Sequence, residues 1–243
     1  MSLTLQAATL ENNGELSALG QTQVTVDKTL TNQASGLISG QNTVLKAPAM
    51  TNQGQLQALT DLGLTTTALD NSGALVALND ITVRANDSVM TRGRVSAGRN
   101  LTVFTDQLEN QGQIKVTGDV RIAKDALQSR STRVMNTGAI ESVHNDVRIA
   151  ATETVNPGDG EHDQCRTRFD AAGRDTDEQR RSLLTGPDRL TLTQTLTNTG
   201  LVSGQKTEIT APAIDNQGQL QALTDLGLTA DALPKLRYIG GVT

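Results

Sequence analysis

The fourteen residues NQGQLQALTDLGLT occur twice without a change, at 52–65 and again at 216–229. An active site is rarely needed twice in one chain, whereas a stacking structural unit needs nothing but repetition, so the duplication directs attention to repeats first. The preceding segments match as well, GLISGQNTVLKAPAMT before the first copy and GLVSGQKTEITAPAID before the second. Between them the changes are mild on one alternating set, Ile38 against Val202 and Met50 against Ile214, and freer elsewhere, Lys46 against Thr210. The restrained set is expected to be the buried one.

A weaker unit runs through the whole chain: an aliphatic residue, any residue, Asn, any residue, Gly. It stands at Leu10–Gly14, Met50–Gly54, Leu69–Gly73, Leu108–Gly112, Val134–Gly138, Leu196–Gly200 and Ile214–Gly218. Val89–Gly93 carries Thr91 where the others have Asn, and the unit begun by Leu30 and Asn32 has its glycine delayed to Gly36 by Ala34 and Ser35. Gly54, Gly73, Gly93 and Gly112 follow one another at intervals of 19, 20 and 19 residues. After each glycine comes an apolar alternation such as Gln55-Leu56-Gln57-Ala58, then a second such as Leu62-Gly63-Leu64, Ile81-Thr82-Val83 or Leu101-Thr102-Val103. Alternation of period two predicts short strands with one buried face. The Asn-x-Gly and Gly/Asp pairs between them predict turns, on the expectation that Gly and Asn adopt positive φ.

A unit of about 20 residues with two or three short strands cannot bury a core of its own and must stack on its neighbours. A coil that closes one turn and rises by one strand spacing, about 4.8 Å, achieves this, each strand pairing in parallel with its equivalents above and below. The expected fold is all-β, a right-handed parallel β-helix of about nine to ten coils, with leucine stacked on leucine inside and asparagine on asparagine at the turn. An amide side chain suits such a buried ladder because it offers donors on one side and an acceptor on the other. The structural ladder is therefore assigned to Asn12, Gly14, Asn52, Gly54, Asn71, Gly73, Asn110, Gly112, Asn136, Gly138, Asn198, Gly200, Asn216 and Gly218. Leucine-rich repeats have a similar period, but their L-x-x-L-x-L signature does not occur, nor does the Gly-Gly-x-Gly-x-Asp run of calcium-binding nonapeptides.

Composition supports a narrow solenoid core. Only Phe104, Phe169 and Tyr238 are aromatic and there is no Trp, whereas globular enzyme cores lean on aromatics for buried area. The net charge of −5 with no basic block argues against a nucleic-acid surface, and no apolar run approaches the length that spans a membrane. Cys165 is the single cysteine, so no internal disulfide forms. The beginning MSLTLQAATLENNGEL lacks the basic and apolar regions of a signal peptide. Leu3-Thr4-Leu5 before Leu10 matches Leu62-Gly63-Leu64 before Leu69, so the chain reads as starting in mid-coil, as a piece of a longer rod or a truncated reading frame would.

The aliphatic-x-Asn-x-Gly unit with its two alternations resembles the haemagglutinin repeats of filamentous haemagglutinins and of related two-partner-secretion exoproteins, contact-dependent inhibition proteins included. The resemblance covers residues 1 to about 155 and 188–233. It implies a secreted or cell-surface, rod-shaped adhesin scaffold of a Gram-negative bacterium. It also implies export through an outer-membrane two-partner-secretion transporter, and a host or bacterial surface receptor or glycan as partner. The family's separate N-terminal secretion domain is not part of this sequence.

One segment escapes the repeat. The step from a coil's aliphatic start to the next strand pair takes 12 residues from Leu69 to Ile81, but 35 from Val155 to Leu190. The extra residues 156–187, NPGDGEHDQCRTRFDAAGRDTDEQRRSLLTGP, divide the chain into repeats at 1–155, a polar projection at 156–187, repeats again at 188–233 and an irregular tail at 234–243. Thr176-Asp177-Glu178-Gln179 fits a capping box and Gly186-Pro187 a stop, which predicts a short helix between them. A smaller insertion lies near Gln128–Arg133. Asp159, Glu161, His162, Asp163 and Cys165 are metal-ligand types, but their spacing fits no zinc or EF-hand pattern, and a solvated polar loop is the plainer reading. His144 beside Asn145-Asp146 is likewise a turn residue. As candidate partner contacts the projection offers Asp159, Glu161, His162, Arg166, Arg168, Phe169, Arg174, Arg180 and Arg181.

No Gly-x-Ser-x-Gly, Walker loop or His-Glu-x-x-His occurs, and no cofactor or metal site is expected. Asn86-Asp87-Ser88 and Asn100-Leu101-Thr102 are short sequons of the kind that chance produces. Two function classes remain: a non-enzymatic adhesin rod presenting a binding surface, and a β-helix polysaccharide lyase or hydrolase, with a functionless fragment of a larger exoprotein as a third possibility. The enzyme reading requires charged side chains along one outer strand face. The outward positions read mostly as Thr, Gln, Ser and isolated Arg, which favours the rod.

Overall fold

A computed structural model describes residues 1–127, 130–142, 147–156, 166–168, 188–192, 196–198, 201–210, 213–216, 219–236 and 239–241. All regular elements among them are strands, and every pairing is parallel. The short helix expected between Thr176 and Gly186 lies outside the described residues.

Several coils are built from one long strand and one short one, as in Leu62–Asn71 followed by Ala74–Ala77, Ile81–Thr91 by Arg94–Ala97, and Leu101–Asn110 by Gln113–Val116, while in others the long strand is divided, as into Thr43–Lys46 and Ala49–Asn52 before Gln55–Ala58. The long strand covers two faces because its inward period slips once. In Leu101–Asn110 the buried residues are Leu101, Val103 and Thr105, then Leu108 and Asn110, so the chain turns a corner at Asp106-Gln107 without leaving extended conformation. The short strand makes the third face. A side chain with an oxygen or a small group fills the inner corner. The Thr105 hydroxyl lies 3.0 Å from the Gln107 carbonyl oxygen and 3.2 Å from that of Asp87, and Thr66 is placed likewise against Ala68 and Pro48.

Register fixes the core. Leu5, Val24, Leu45, Leu64, Val83, Val103, Ile122 and Ile149 stack on the first face. Leu10, Leu30, Met50, Leu69, Val89, Leu108 and Val134 stack on the second. Leu16, Ile38, Leu56, Leu75, Val95, Ile114 and Ile140 stack on the third. From Val24 onward these side chains are at most 5% exposed, so each contributes roughly 1.5–3 kcal/mol of burial. The apolar residues of the alternations and coil starts, Leu56, Leu64, Leu69, Val83, Val103, Leu108 and Ile122 among them, are buried; the side chain of Leu220 lies outside the described ones.

Three departures from the sequence reading have physical causes. Val155, taken as a coil-start aliphatic, pairs with Met135 and Thr197, while Thr154 pairs with Val134 and Leu196, so Thr154 holds the register position that an aliphatic holds in the other coils. No aliphatic stands two places before Asn156, and the asparagine register governs instead. Within the expected projection, Arg166–Arg168 forms a strand that pairs with Ile140-Glu141 on one side and Leu201–Ser203 on the other, so the third face continues through it. Beyond residue 233, where an irregular tail was expected, Ala232–Leu236 and Ile239–Gly241 add a further coil. Its register shifts between Ala213 and Asp215, where Leu233 and Pro234 intervene, a bulge that suits a residue with no N–H for the ladder.

Candidate functional surfaces

Two polar columns run through the stack and set the positions of everything outside it. The first is inside. Asn12 Nδ2 donates to Asn32 Oδ1, Asn32 Nδ2 to Asn52 Oδ1 and Asn52 Nδ2 to Asn71 Oδ1, each at 2.8 Å. The same amides donate to carbonyls of the next coil, Leu37, Gln55 and Ala74, each at 3.2 Å. Asn71 Nδ2 then donates to Thr91 Oγ1 at 3.0 Å, and the column resumes with Asn110 Nδ2 donating to Asn136 Oδ1 at 2.6 Å. Between those two segments the buried Asn110 Oδ1 has no hydrogen-bond partner. Asn32 belongs to this column although its glycine is displaced. Asn156, Asn198 and Asn216 continue the backbone register; their side chains, and Gly200 and Gly218, lie outside the described set.

The glycines beside this column owe their identity to close approach. A Cβ on Gly73 would strike the carbonyl oxygen of Gly54, one on Gly93 that of Gly73, one on Gly112 that of Gly93, and one on Gly138 that of Gly112. None of these glycines has φ in the left-handed region, so the conformational freedom expected from the sequence is not what the turn uses. Gly14, in the first coil, meets nothing within 4 Å.

The second column caps the first face at its entry corner, and sequence reading missed it. Asn42 Oδ1 accepts from the Asp61 N–H at 3.3 Å, Asp61 Oδ1 from the Asp80 N–H at 3.2 Å, Asp80 Oδ1 from the Asn100 N–H at 3.1 Å, and Asn100 Oδ1 from the Asp119 N–H at 3.0 Å. The signal was present as Asn or Asp before the first inward residue of each coil, at intervals of 19 or 20. Arg99 joins it through an ion pair to Asp80 at 2.6 Å. That guanidinium, followed by the backbone and side-chain donors of Asn100, holds the Asp80 carboxyl below its ordinary value against the opposing effect of desolvation.

At the loop between Ala123 and Ser131, Asp106 accepts from Lys124 at 3.0 Å and from the Thr132 hydroxyl at 2.8 Å, joining the two ends of the added residues. Lys124 and then Thr132 keep the Asp106 carboxyl below its ordinary value. On the outer first face, Phe104 stands between two guanidinium groups. The Arg84 Cζ lies 5.4 Å and the Arg121 Cζ 5.9 Å from its ring centroid. Neither arginine was singled out from the sequence.

Of the candidate partner contacts, Arg166 and Arg168 sit in the strand that bridges the third face. Asp159, Glu161, His162, Phe169, Arg174, Arg180 and Arg181 lie outside the described residues, as do His144 and Cys165. Among the described residues no group of three His, Cys, Asp or Glu side chains is placed to hold a metal ion, and no helix is long and apolar enough to cross a membrane.

The architecture defines the class: a parallel β-solenoid segment made of haemagglutinin-type coils. Its homologues are the CdiA exoproteins of contact-dependent inhibition. The chain is 32% identical over 233 residues to "Toxin CdiA" of Escherichia coli, a match spanning 90% of this chain and 6% of that protein. It is 32% identical over 133 residues to "Deoxyribonuclease CdiA" of Dickeya dadantii (strain 3937), and 32% identical over 129 residues to "tRNA nuclease CdiA" of Escherichia coli O6:K15:H31 (strain 536 / UPEC). Those matches take in 54% and 52% of this chain and 4% of each relative. The chain thus spans only about a twentieth of the length of the proteins it resembles. No protein-family model matches it, and no solved structure matches it significantly.

Proposed function

We propose that this chain is a rod segment of a secreted, CdiA-type exoprotein, and that it carries none of the nuclease chemistry for which some relatives are named. The observation that carries this reading is the stacking itself. Successive coils place equivalent residues in register on three faces, and both polar columns are spent on holding coil to coil. A solenoid of this kind gains length with every unit and needs no site to do so. In this reading export uses an outer-membrane two-partner-secretion transporter, and the rod holds other parts of the protein away from the cell surface that bears it. Residues 156–187 lengthen the sequence between two runs of repeat, and Arg166–Arg168 among them keeps the third-face register, so partner contact of the adhesin kind is assigned to the rest of that segment.

The test has two arms. The purified chain should leave duplex DNA and tRNA intact. In a full-length exoprotein carrying this segment, excision of whole coils should preserve toxin activity in a lysate and weaken its delivery to a neighbouring cell. Cleavage of either nucleic acid by the isolated chain, or delivery indifferent to rod length, would refute the spacer.

A further inference from the structure

We propose that the outer first face, at Lys46, Arg84, Phe104 and Arg121, binds a linear polysaccharide bearing carboxylates, laid along the stacking axis. Lys46, Thr65, Arg84 and Phe104 occupy one outward column in consecutive coils, and Thr82, Thr102 and Arg121 occupy the column beside it. Cations that look isolated in the sequence therefore gather on one side of a chain whose net charge is −5.

Phe104 is the one aromatic among the described residues, and it is partly exposed on a sheet whose core needs no ring. Its contacts explain its place. With Arg84 and Arg121 both near the ring, cation–π attraction restrains two long side chains that would otherwise lose considerable freedom on binding a ligand. Two coil rises separate the arginines, roughly 10 Å along the axis. Among the described residues neither guanidinium has a carboxylate partner, although Arg92 and Arg99 are paired with Asp70 and Asp80 elsewhere on the rod. Asp106, at the corner beyond Phe104, is engaged by Lys124 and Thr132. Arg121 donates one N–H to the Ala126 carbonyl at 3.3 Å, which orients its plane and leaves further donors unused.

Planar forks held at a fixed spacing match carboxylates in bidentate fashion. A flat parallel sheet whose outward Thr65, Thr82 and Thr102 supply hydroxyls suits an extended sugar chain, which advances by about one coil rise per ring. Nucleic acid fits less well, since base stacking would need a ring face that the guanidiniums occupy. The inference is independent of the spacer reading, because a rod with or without this surface has the same coils.

Isothermal titration of the whole chain with a galacturonic-acid hexamer tests it, alongside a neutral cellohexaose and a short DNA duplex. Binding to the uronate alone is expected. Arg84→Gln combined with Arg121→Gln should weaken it about tenfold or more, and the corresponding pair of lysine substitutions should recover only part of the loss. Phe104→Leu should weaken binding severalfold with both charges intact. Circular dichroism establishes that each variant keeps its strands. Arg92→Gln, a charge removed on another face, should leave the affinity unchanged. No uronate binding, equal binding to DNA, or equal losses from Arg92→Gln and from the Arg84/Arg121 pair would overturn the assignment.

Discussion

Asn71 donates its side-chain amide to the Thr91 hydroxyl at 3.0 Å, and there the interior asparagine column stops handing donors forward: one coil on, Asn110 Oδ1 is buried with no partner. Threonine accepts as asparagine does, but it has one hydrogen where an amide has two. A buried acceptor left unmade costs about 1–3 kcal/mol, and this one sits in a column whose other members are joined. Thr91→Asn should therefore stabilise the chain by about 1 kcal/mol, read as a raised denaturation midpoint with an unchanged denaturant slope. A neutral or negative effect would mean that Asn110 already finds a donor.

The glycine column makes a steric prediction. Gly93→Ala drives a Cβ into the Gly73 carbonyl and should part the two coils, lowering stability by more than about 1 kcal/mol. Gly14→Ala meets open space and should change stability by less than about 0.5 kcal/mol. Equal effects at the two positions would show that backbone freedom, and not close approach, selects glycine.

The same comparison shows what the sequence could reveal. Leu64, Val83 and Val103 recur at the coil period and declare themselves as core, because burial on a strand acts at period two and stacking repeats it every coil. The reason for glycine was not legible. Positive φ and close approach select the same residue, and only the neighbouring coil distinguishes them. The entry-corner column was hidden by its mixture of Asn and Asp, which turns use for other purposes as well. The Arg84–Phe104–Arg121 group could not be read at all without register, since its members lie in three different coils.

Core truncation should propagate. Leu108 is 2% exposed and stacks between Val89 and Val134. Leu108→Ala should cost about 2–5 kcal/mol, and hydrogen exchange should accelerate first in the strands Ile81–Thr91 and Ser131–Asn136 that contact it. Exchange that accelerates evenly along the chain would point instead to a single cooperative unit.

Acid should act at the paired carboxylates. Asp80 and Asp106 have folded-state pKa values below their unfolded ones, so their contribution is present above about pH 4 and is lost as pH falls through the lowered folded values. Both pairs are solvent-accessible, which limits each to less than about 1 kcal/mol and makes it sensitive to salt. Arg99→Gln should reduce the loss of stability between pH 5 and 2 (about one carboxylate's share), with little further effect at high ionic strength. An unaltered acid profile in that variant would place the acid sensitivity elsewhere.

Register predicts which deletions the rod accepts. Removing residues 62–80 joins Asp61 to Ile81, and Ile81 already pairs with Leu62, which in turn pairs with Thr43. The 19-residue excision should bring the strand Ile81–Thr91 onto Thr43–Lys46 and Ala49–Asn52, set Thr91 against Asn52, and shorten the rod by one rise of about 4.8 Å. Removing 63–80 instead leaves Leu62 in front of Ile81, one residue too many. Every later inward side chain in that coil would then have to turn outward or the extra residue be expelled as a bulge. Far-UV circular dichroism and thermal melting should show strand content and cooperativity kept by the first deletion and degraded by the second. That difference also accounts for the duplicated segments at 52–65 and 216–229: a unit of whole-coil length can be copied into a solenoid at the cost of one new interface, because each coil is recognised only by its neighbours.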